Sequence, residues 1–283
     1  MNPAPSRNDP SGAAYLDLRR LARQTNRPTD ELHQLYGLEG FLDRLASSPH
    51  NENLVLKGGV LLAAFDSRRP TRDLDFAATQ IDGQAEHLRD VVNEVLAIDR
   101  SDGLIFELSA TTVATIRGDE PYPSTRAKIN GTLATARISF HVDINIGDPL
   151  LPPPQRVEVP RLLGGDPISV NGYRIELVLA EKIVTAIQRG TANTRWRDFV
   201  DIANLAKKSH DEALLRASIT AVAAHRVVVP RPLAEVLADY AELAQPHWAA
   251  WRRKQRLSSA PETFTELLGN VIAFADPLLD AER

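Results

Sequence analysis

The sequence predicts an α+β fold, in which a mixed α/β half is followed by an all-helical half. Two features of its patterning carry that prediction. Up to about Ile146, stretches that alternate apolar and polar residues are interleaved with stretches of helical spacing, whereas from Glu176 onward nearly every stretch has helical spacing. Prolines at positions 149, 152, 153 and 154 separate the halves and break both patterns. At 283 residues, 43% of them apolar and 25% charged, the chain has material for one large domain or two modest ones. The expected organisation is a flexible tail over 1–13, a core over 14–150, a Pro-rich linker and hairpin over 151–175, and a helical domain over 176–283.

The tail is rich in Pro, Ser and Asn and has no apolar run, so no secretory signal is expected. Residues 15–23 and 30–47 have helical spacing. In the second stretch Leu32, Leu35, Leu38, Phe41, Leu42 and Leu45 fall on one stripe, stopped by Ser47-Ser48-Pro49. Leu54-Val55-Leu56 reads as a short buried strand closed by Gly58-Gly59, followed by a helix-like run at 60–65 and a strand over 71–77. Residues 85–98 read as a helix, and 104–108 and 111–116 as strands. The clearest strand is 135–146. There Ile138, Phe140, Val142, Ile144 and Ile146 share one face, and Ser139, His141, Asp143 and Asn145 share the other. Within 168–175, Asn171-Gly172 between two short apolar runs predicts a tight hairpin. Beyond it, breaks near Gly190, His210, 229–232 and 258–261 divide the helices.

Composition narrows the function classes. A net charge of −4 argues against a general polycationic coat for DNA while leaving room for a local basic groove. The cations are mostly arginine, whose planar fork suits phosphate; a GC-rich genome produces the same bias. The absence of Cys excludes disulfides, Cys–zinc sites and thiol catalysis, and the scattered histidines have no zinc-binding spacing. No apolar run approaches the roughly 18–20 residues of a membrane span. A cytoplasmic protein without a membrane partner is the expectation.

Three constellations carry chemistry. Lys57-Gly58-Gly59 follows a strand, precedes a helix and is followed after thirteen residues by Asp73-Leu74-Asp75. A diglycine there frees backbone N–H groups to approach a phosphate. Carboxylates at i and i+2 of a strand point the same way, roughly 7 Å apart at Cα, which suits Mg²⁺ held with substrate phosphates. Taken singly, the diglycine also reads as a turn and the acids as a solvated strand edge. Asp143 lies on the polar face of its strand. If that strand neighbours the Asp73/Asp75 strand, a third carboxylate completes a site for in-line phosphoryl transfer; Asp148, after Gly147, reads as a turn cap. In the helical half, Lys182 and Arg189 share a face of one helix, and Arg195, Asp198 and Asp201 share a face of the next. A lysine and an aspartate on adjacent helices read either as a structural ion pair or as a phosphate-gripping cation held by its acid.

Leu56-Lys57-Gly58-Gly59, Arg69-Pro70-Thr71-Arg72-Asp73-Leu74-Asp75, 142–148 (VDINIGD), Ala180-Glu181-Lys182 and 197–202 (RDFVDI) occur in that order. The joint pattern, from about Tyr36 to about Leu205, resembles the AbiEii/AbiGii family of nucleotidyltransferase toxins, whose mycobacterial members are called MenT. The resemblance implies a DNA-polymerase-β-like nucleotidyltransferase core with a mixed sheet, followed by a helical C-terminal domain. It implies Mg²⁺, a nucleoside triphosphate substrate, transfer of a nucleotide to an acceptor such as a tRNA 3′ end, and a cognate antitoxin encoded nearby. Position by position, Gly58 and Gly59 match the phosphate-loop motif, Asp73 and Asp75 the metal ligands, and Lys182 and Asp198 the later lysine and aspartate motifs. The lysine and tyrosine frequent in the family's KDFYD motif are replaced by Arg197 and Val200. Gly58-Gly59 stands where many nucleotidyltransferases have Gly-Ser, removing a hydroxyl contact to phosphate.

The expected site therefore has Asp73, Asp75, Lys182 and Asp198 as catalytic residues and Asp73, Asp75 and Asp143 as metal ligands. Lys57, Gly58, Gly59, Arg72, Arg195 and Arg197 are the nucleotide-binding candidates. A segment over 243–261 has no acid and contains Trp248, Trp251, Arg252, Arg253, Lys254 and Arg256, which suits RNA by charge neutralisation and base stacking; the alternative is an amphipathic helix with buried tryptophans. Rival functions are a nucleotidyltransferase acting on a small molecule or a protein, a non-catalytic nucleotide-binding module, and a metal-dependent nuclease.

Overall fold

Alternation in the N-terminal half is the mark of one sheet with a covered face. The computed structural model describes residues 4–116 and 124–280, and in it the strands are β1 (Leu54–Lys57), β2 (Asp73–Ala78), β3 (Leu104–Phe106), β4 (Thr112–Ile116), β5 (Ser124–Leu133), β6 (Ala136–Ile146), β7 (Gln155–Val159) and β8 (Ile168–Gly172). Their order is β3-β5-β6-β2-β1-β8-β7, with β4 pairing β5 off that path. β2 pairs parallel with β6 and antiparallel with β1, β1 pairs parallel with β8, and the remaining pairs are antiparallel. The sheet is mixed, as expected.

Helices α1 (Pro10–Thr25), α2 (Thr29–Ala46), α3 (Gly58–Leu61) and α4 (Ala85–Leu96) complete this unit. The stripe of α2 is fully buried, and Phe41 packs against Phe76 of β2 and Phe140 of β6, with ring centroids 6.1 and 6.3 Å apart. Leu56, Leu74, Phe76, Val142 and Ile144 are buried on the covered sheet face, while Ile146 at the strand end is exposed. The opposite face carries the polar positions. α1 begins at Pro10, inside the segment expected to be a flexible tail. Asp9 accepts from the Gly12 N–H at 2.8 Å and a proline occupies the first turn, so the start signals are complete.

Two further departures concern turns and boundaries. The tight turn expected at Asn171-Gly172 does not form. Asn171 lies opposite Arg156, and Gly172 lies opposite both Gln155 and Leu56, so sheet pairing on two sides overrides the local turn preference. The segment expected as a linker and hairpin over 151–175 is divided: 154–172 belongs with the sheet, and 149–153 groups with the second unit.

The second unit, which also comprises 173–283, is helical: α5 (Ile175–Arg189), α6 (Trp196–Leu205), α7 (Glu212–His225), α8 (Leu233–Val236), α9 (Tyr240–Lys254) and α10 (Phe264–Leu279). Its core is aromatic. Phe264 sits edge-on to Trp196, Phe199 and Tyr240 with centroids 5.3–5.4 Å away, an arrangement that ring quadrupoles favour. Trp248 is fully buried and donates its Nε1–H to the Glu262 carbonyl at 3.2 Å.

Candidate active site

Strand pairing sets four charged residues in one row across the sheet. Lys57 on β1 lies opposite Asp75 on β2, Asp75 opposite Asp143 on β6, and Asp143 opposite Arg126 on β5. Directly opposed residues share a face, so the signs run plus, minus, minus, plus. Arg126 donates from Nε and Nη2 to the two Asp143 oxygens, each at 2.7 Å. At the other end Lys57 donates to Asp148 Oδ2 at 2.5 Å, both side chains being less than a tenth exposed. In the next row on the same face Asp73 lies opposite His141, whose Nδ1 is 3.1 Å from Asp73 Oδ1, and His141 lies opposite Lys128.

The start of α3 closes on Asp75. Gly58 has a φ of 68°, and a Cβ on it would lie 1.9 Å from Asp75 Oδ2. Only glycine allows both that backbone conformation and that approach. Burial pushes the Asp75 carboxyl up to about 6. Lys57 pulls it down, Asp143 and Asp73 push it further up, and Arg69 again lowers it. The same crowding of acids tests the fit of a divalent cation. Asp73 and Asp75 present hard oxygens from alternate positions of one strand, and like-charge repulsion with Asp143 is relieved by positive charge placed among them. The chemistry of these donors suits a hard divalent cation. Among the described residues no three His, Cys, Asp or Glu side chains stand in a metal-holding arrangement, and both oxygens of Asp143 are held by Arg126.

In the second unit Lys182 of α5 meets the first two turns of α6. Its Nζ donates to Asp198 Oδ1 at 2.7 Å and to Asp201 Oδ2 at 2.8 Å, and Arg195 Nε lies 2.8 Å from Asp198 Oδ2. Asp198 and Asp201 are buried, and three residues apart they share a helix face. The lysine–aspartate pair expected from spacing is present, with Asp201 as a second anchor. Arg197 is exposed and Val200 half-buried.

The other expected residues fall as follows. Lys57, expected at the nucleotide, is buried and engaged with Asp148, the residue expected as a turn cap, as its ion-pair partner. Gly58 opens α3 with Gly59 buried behind it, and Arg72 is exposed beside the β2 start. In the segment expected to contact RNA, the buried-tryptophan alternative describes Trp248. Arg252 donates to the carbonyls of Ala260 and Ser258, tying down the turn after α9, while Arg253, Lys254 and Arg256 are exposed. Sequence reasoning missed Arg126, because β5 has no counterpart among the expected strands. The available signal was the weak alternation of Thr125, Ala127, Ile129 and Leu133, all buried.

Comparison with known proteins adds the following. The sequence model of one family, described as "Nucleotidyl transferase AbiEii toxin, Type IV TA system", matches residues 40–270. No curated protein matches. Among solved structures, a candidate nucleotidyltransferase from H. pylori is similar with a TM-score of 0.51 at 17% identity, covering 88% of this chain and 94% of that one. JHP933 from Helicobacter pylori gives a TM-score of 0.49 at 16% identity, covering 93% and 91%. The first likeness supports a shared fold; the family match spans both structural units.

Proposed function

Since the chain belongs to the AbiEii family of nucleotidyltransferase toxins of type IV toxin–antitoxin systems, we propose that it transfers a nucleoside monophosphate from a nucleoside triphosphate to an acceptor hydroxyl in an Mg²⁺-dependent reaction. The proposed acceptor is a tRNA 3′ end, whose modification would block translation, as in MenT-like toxins. The observation that carries the reading is the row of opposed charges centred on Asp75 and Asp143, with Gly58 closed upon it.

In this reading the sheet of the first unit is a polymerase-β-like core. Asp73 and Asp75 would hold Mg²⁺, which supplies positive charge at the α-phosphate and its leaving oxygen. Backbone amides of Gly58 and Gly59 contact the outer phosphates, and Arg72 adds positive charge beside them. The acceptor oxygen forms a bond to the α-phosphorus as the bond to the pyrophosphate oxygen breaks, and Asp143 orients the acceptor hydroxyl or takes its proton. Lys182, held by Asp198 and Asp201, is assigned by motif order to the charge of the departing pyrophosphate, with Arg195 and Arg197 as supporting cations. Family membership also implies a cognate antitoxin.

The test is incubation of purified protein with each α-phosphate-labelled NTP, Mg²⁺ and total tRNA. Label is expected in the RNA with one preferred NTP and is expected to be lost in Asp75→Asn. Transfer by that variant at the wild-type rate removes the assignment, and label on protein or on a small acceptor in place of RNA selects the rival transferase reading.

A further inference from the structure

We propose that Arg126 is a releasable gate on Asp143: its guanidinium holds both carboxylate oxygens, and a divalent cation engages Asp143 only when that pair opens. The inference rests on the reading of Asp73 and Asp75 as cation ligands and assigns a positioning role to a residue outside their motif. The two cations that flank the acid pair are not equivalent. Lys57 is sunk in the sheet, its side chain 9% exposed against the 8% of Asp148, and it has no route to solvent without breaking a buried ion pair. Arg126 is 38% exposed, and its cross-strand neighbour on the far side is Ala114, small and itself exposed. The guanidinium can therefore swing away by side-chain rotation alone, with β5 and its register unchanged.

Competition follows from charge and lone pairs. The guanidinium neutralises Asp143, and its two parallel N–H···O bonds take one lone pair of each oxygen on the side that faces Arg126. Asp143 sits directly opposite Asp75, so removal of the guanidinium leaves two neighbouring acids without the outer positive charge, a stronger site for a dication. While the pair is closed, cation binding relies on Asp73 and Asp75. Once it opens, a third hard ligand is added and the freed guanidinium is available to an anionic group of the acceptor.

The experiment titrates Mn²⁺ alone, without nucleotide, into wild type, Arg126→Ala, Arg126→Lys, Asp75→Asn and the double variant Arg126→Ala/Asp143→Asn, reading free Mn²⁺ by electron paramagnetic resonance. Arg126→Ala is expected to bind Mn²⁺ about tenfold more tightly than wild type or to gain a site, the scale of one lost charge-assisted fork. Adding Asp143→Asn is expected to erase that gain. Arg126→Lys, which keeps the charge but not the fork, falls between and carries the test if the alanine variant does not fold. Wild-type affinity in the folded Arg126 variants, or a gain that survives Asp143→Asn, overturns the gate. A purely structural Arg126 would lower thermal stability and leave Mn²⁺ affinity where it was. If Asp75→Asn leaves Mn²⁺ binding intact, the cation-ligand reading itself fails, and that outcome is distinct from failure of the gate.

Discussion

A methyl group at position 58 would compete with Asp75 for the same space. Gly58→Ala places a Cβ 1.9 Å from Asp75 Oδ2 and forces an L-residue to a φ of 68°. The left-handed backbone alone costs about 1–2 kcal/mol, and Asp75 must move as well. The variant is expected to show a lowered melting temperature and no nucleotide transfer. Gly59→Ala differs: its Cβ meets Thr71 Oγ1 at 3.0 Å and Arg69 Nη1 at 3.1 Å, and its φ is not in the left-handed range. Arg69 is flexible there, whereas Thr71, its Cβ also 3.1 Å away, must shift by a few tenths of an ångström, so the Gly59→Ala melt should lie between those of Gly58→Ala and wild type. Equal melting temperatures for the two variants would remove the argument from Asp75 packing. Both glycines were legible as a diglycine between a strand and a helix; the reason Gly58 in particular is fixed, the carboxylate lying against it, is tertiary and invisible in a linear pattern.

At the scale of elements, the helix pair α5–α6 carries a cation between two buried acids. Lys182→Met leaves Asp198 and Asp201 without that charge, and breaking a buried pair in this way costs about 3–5 kcal/mol. Denaturant unfolding of the second unit is expected to show a loss on that scale, whereas Asp201→Asn, which keeps the Lys182–Asp198 contact, is expected to lose less. Loss of transfer in Lys182 variants is therefore interpretable only beside a melt of the same protein. In the same unit Trp248→Ala is expected to cost about 3–5 kcal/mol by thermal or chemical unfolding, the range for deletion of a buried large aromatic. Long periodic elements such as α2, α5 and β6 could be read from the sequence because one apolar face dominates each. β5 could not. Its inward residues are short or widely spaced, and its Asn130-Gly131 imitates a turn. The glycine is in fact required mid-strand, where a Cβ would lie 2.7 Å from the Ile105 carbonyl oxygen of β3. Three of the four members of the charged row, Lys57, Asp75 and Asp143, were consequently readable, Lys57 in a different role, while its Arg126 end depended on a strand with almost no hydrophobic signature.

Over the whole molecule, acid stability has an identifiable weak point away from the charged row. His33 on α2 is buried and stacks on Tyr15 of α1, with centroids 4.9 Å apart, and its Nε2 has no hydrogen-bond partner among the described residues. Burial holds its pKa below the ordinary histidine value, with Asp30 opposing and Arg19 adding to the shift. The unfolded chain therefore binds a proton more readily than the folded one. Stability from this group is present above about pH 6.5 and is lost as pH falls through the lowered folded value. Replacement by Phe keeps a stacking ring and removes the proton site, so His33→Phe is expected to flatten the decline in melting temperature as pH falls below about 6.5. An unchanged slope would assign the acid sensitivity elsewhere. Partner binding is also set at this scale. Exposed Arg253 and Lys254 sit at the end of α9, and if they neutralise tRNA phosphates, replacing both with Ala should shallow the log–log salt dependence of binding by about two charges' worth.

The pairing of β2 with β6 has a consequence for synthesis. Asp73 and His141 are 68 positions apart, and Lys57 and Asp148 are 91 apart. A ribosome that has just released the two aspartates of β2 has yet to make every strand that will lie on their far side. Loops of that length must close before the acids acquire their neighbours, which places the step late in folding. A growing chain thus carries the aspartates of β2 long before it carries the strands that will lie beside them.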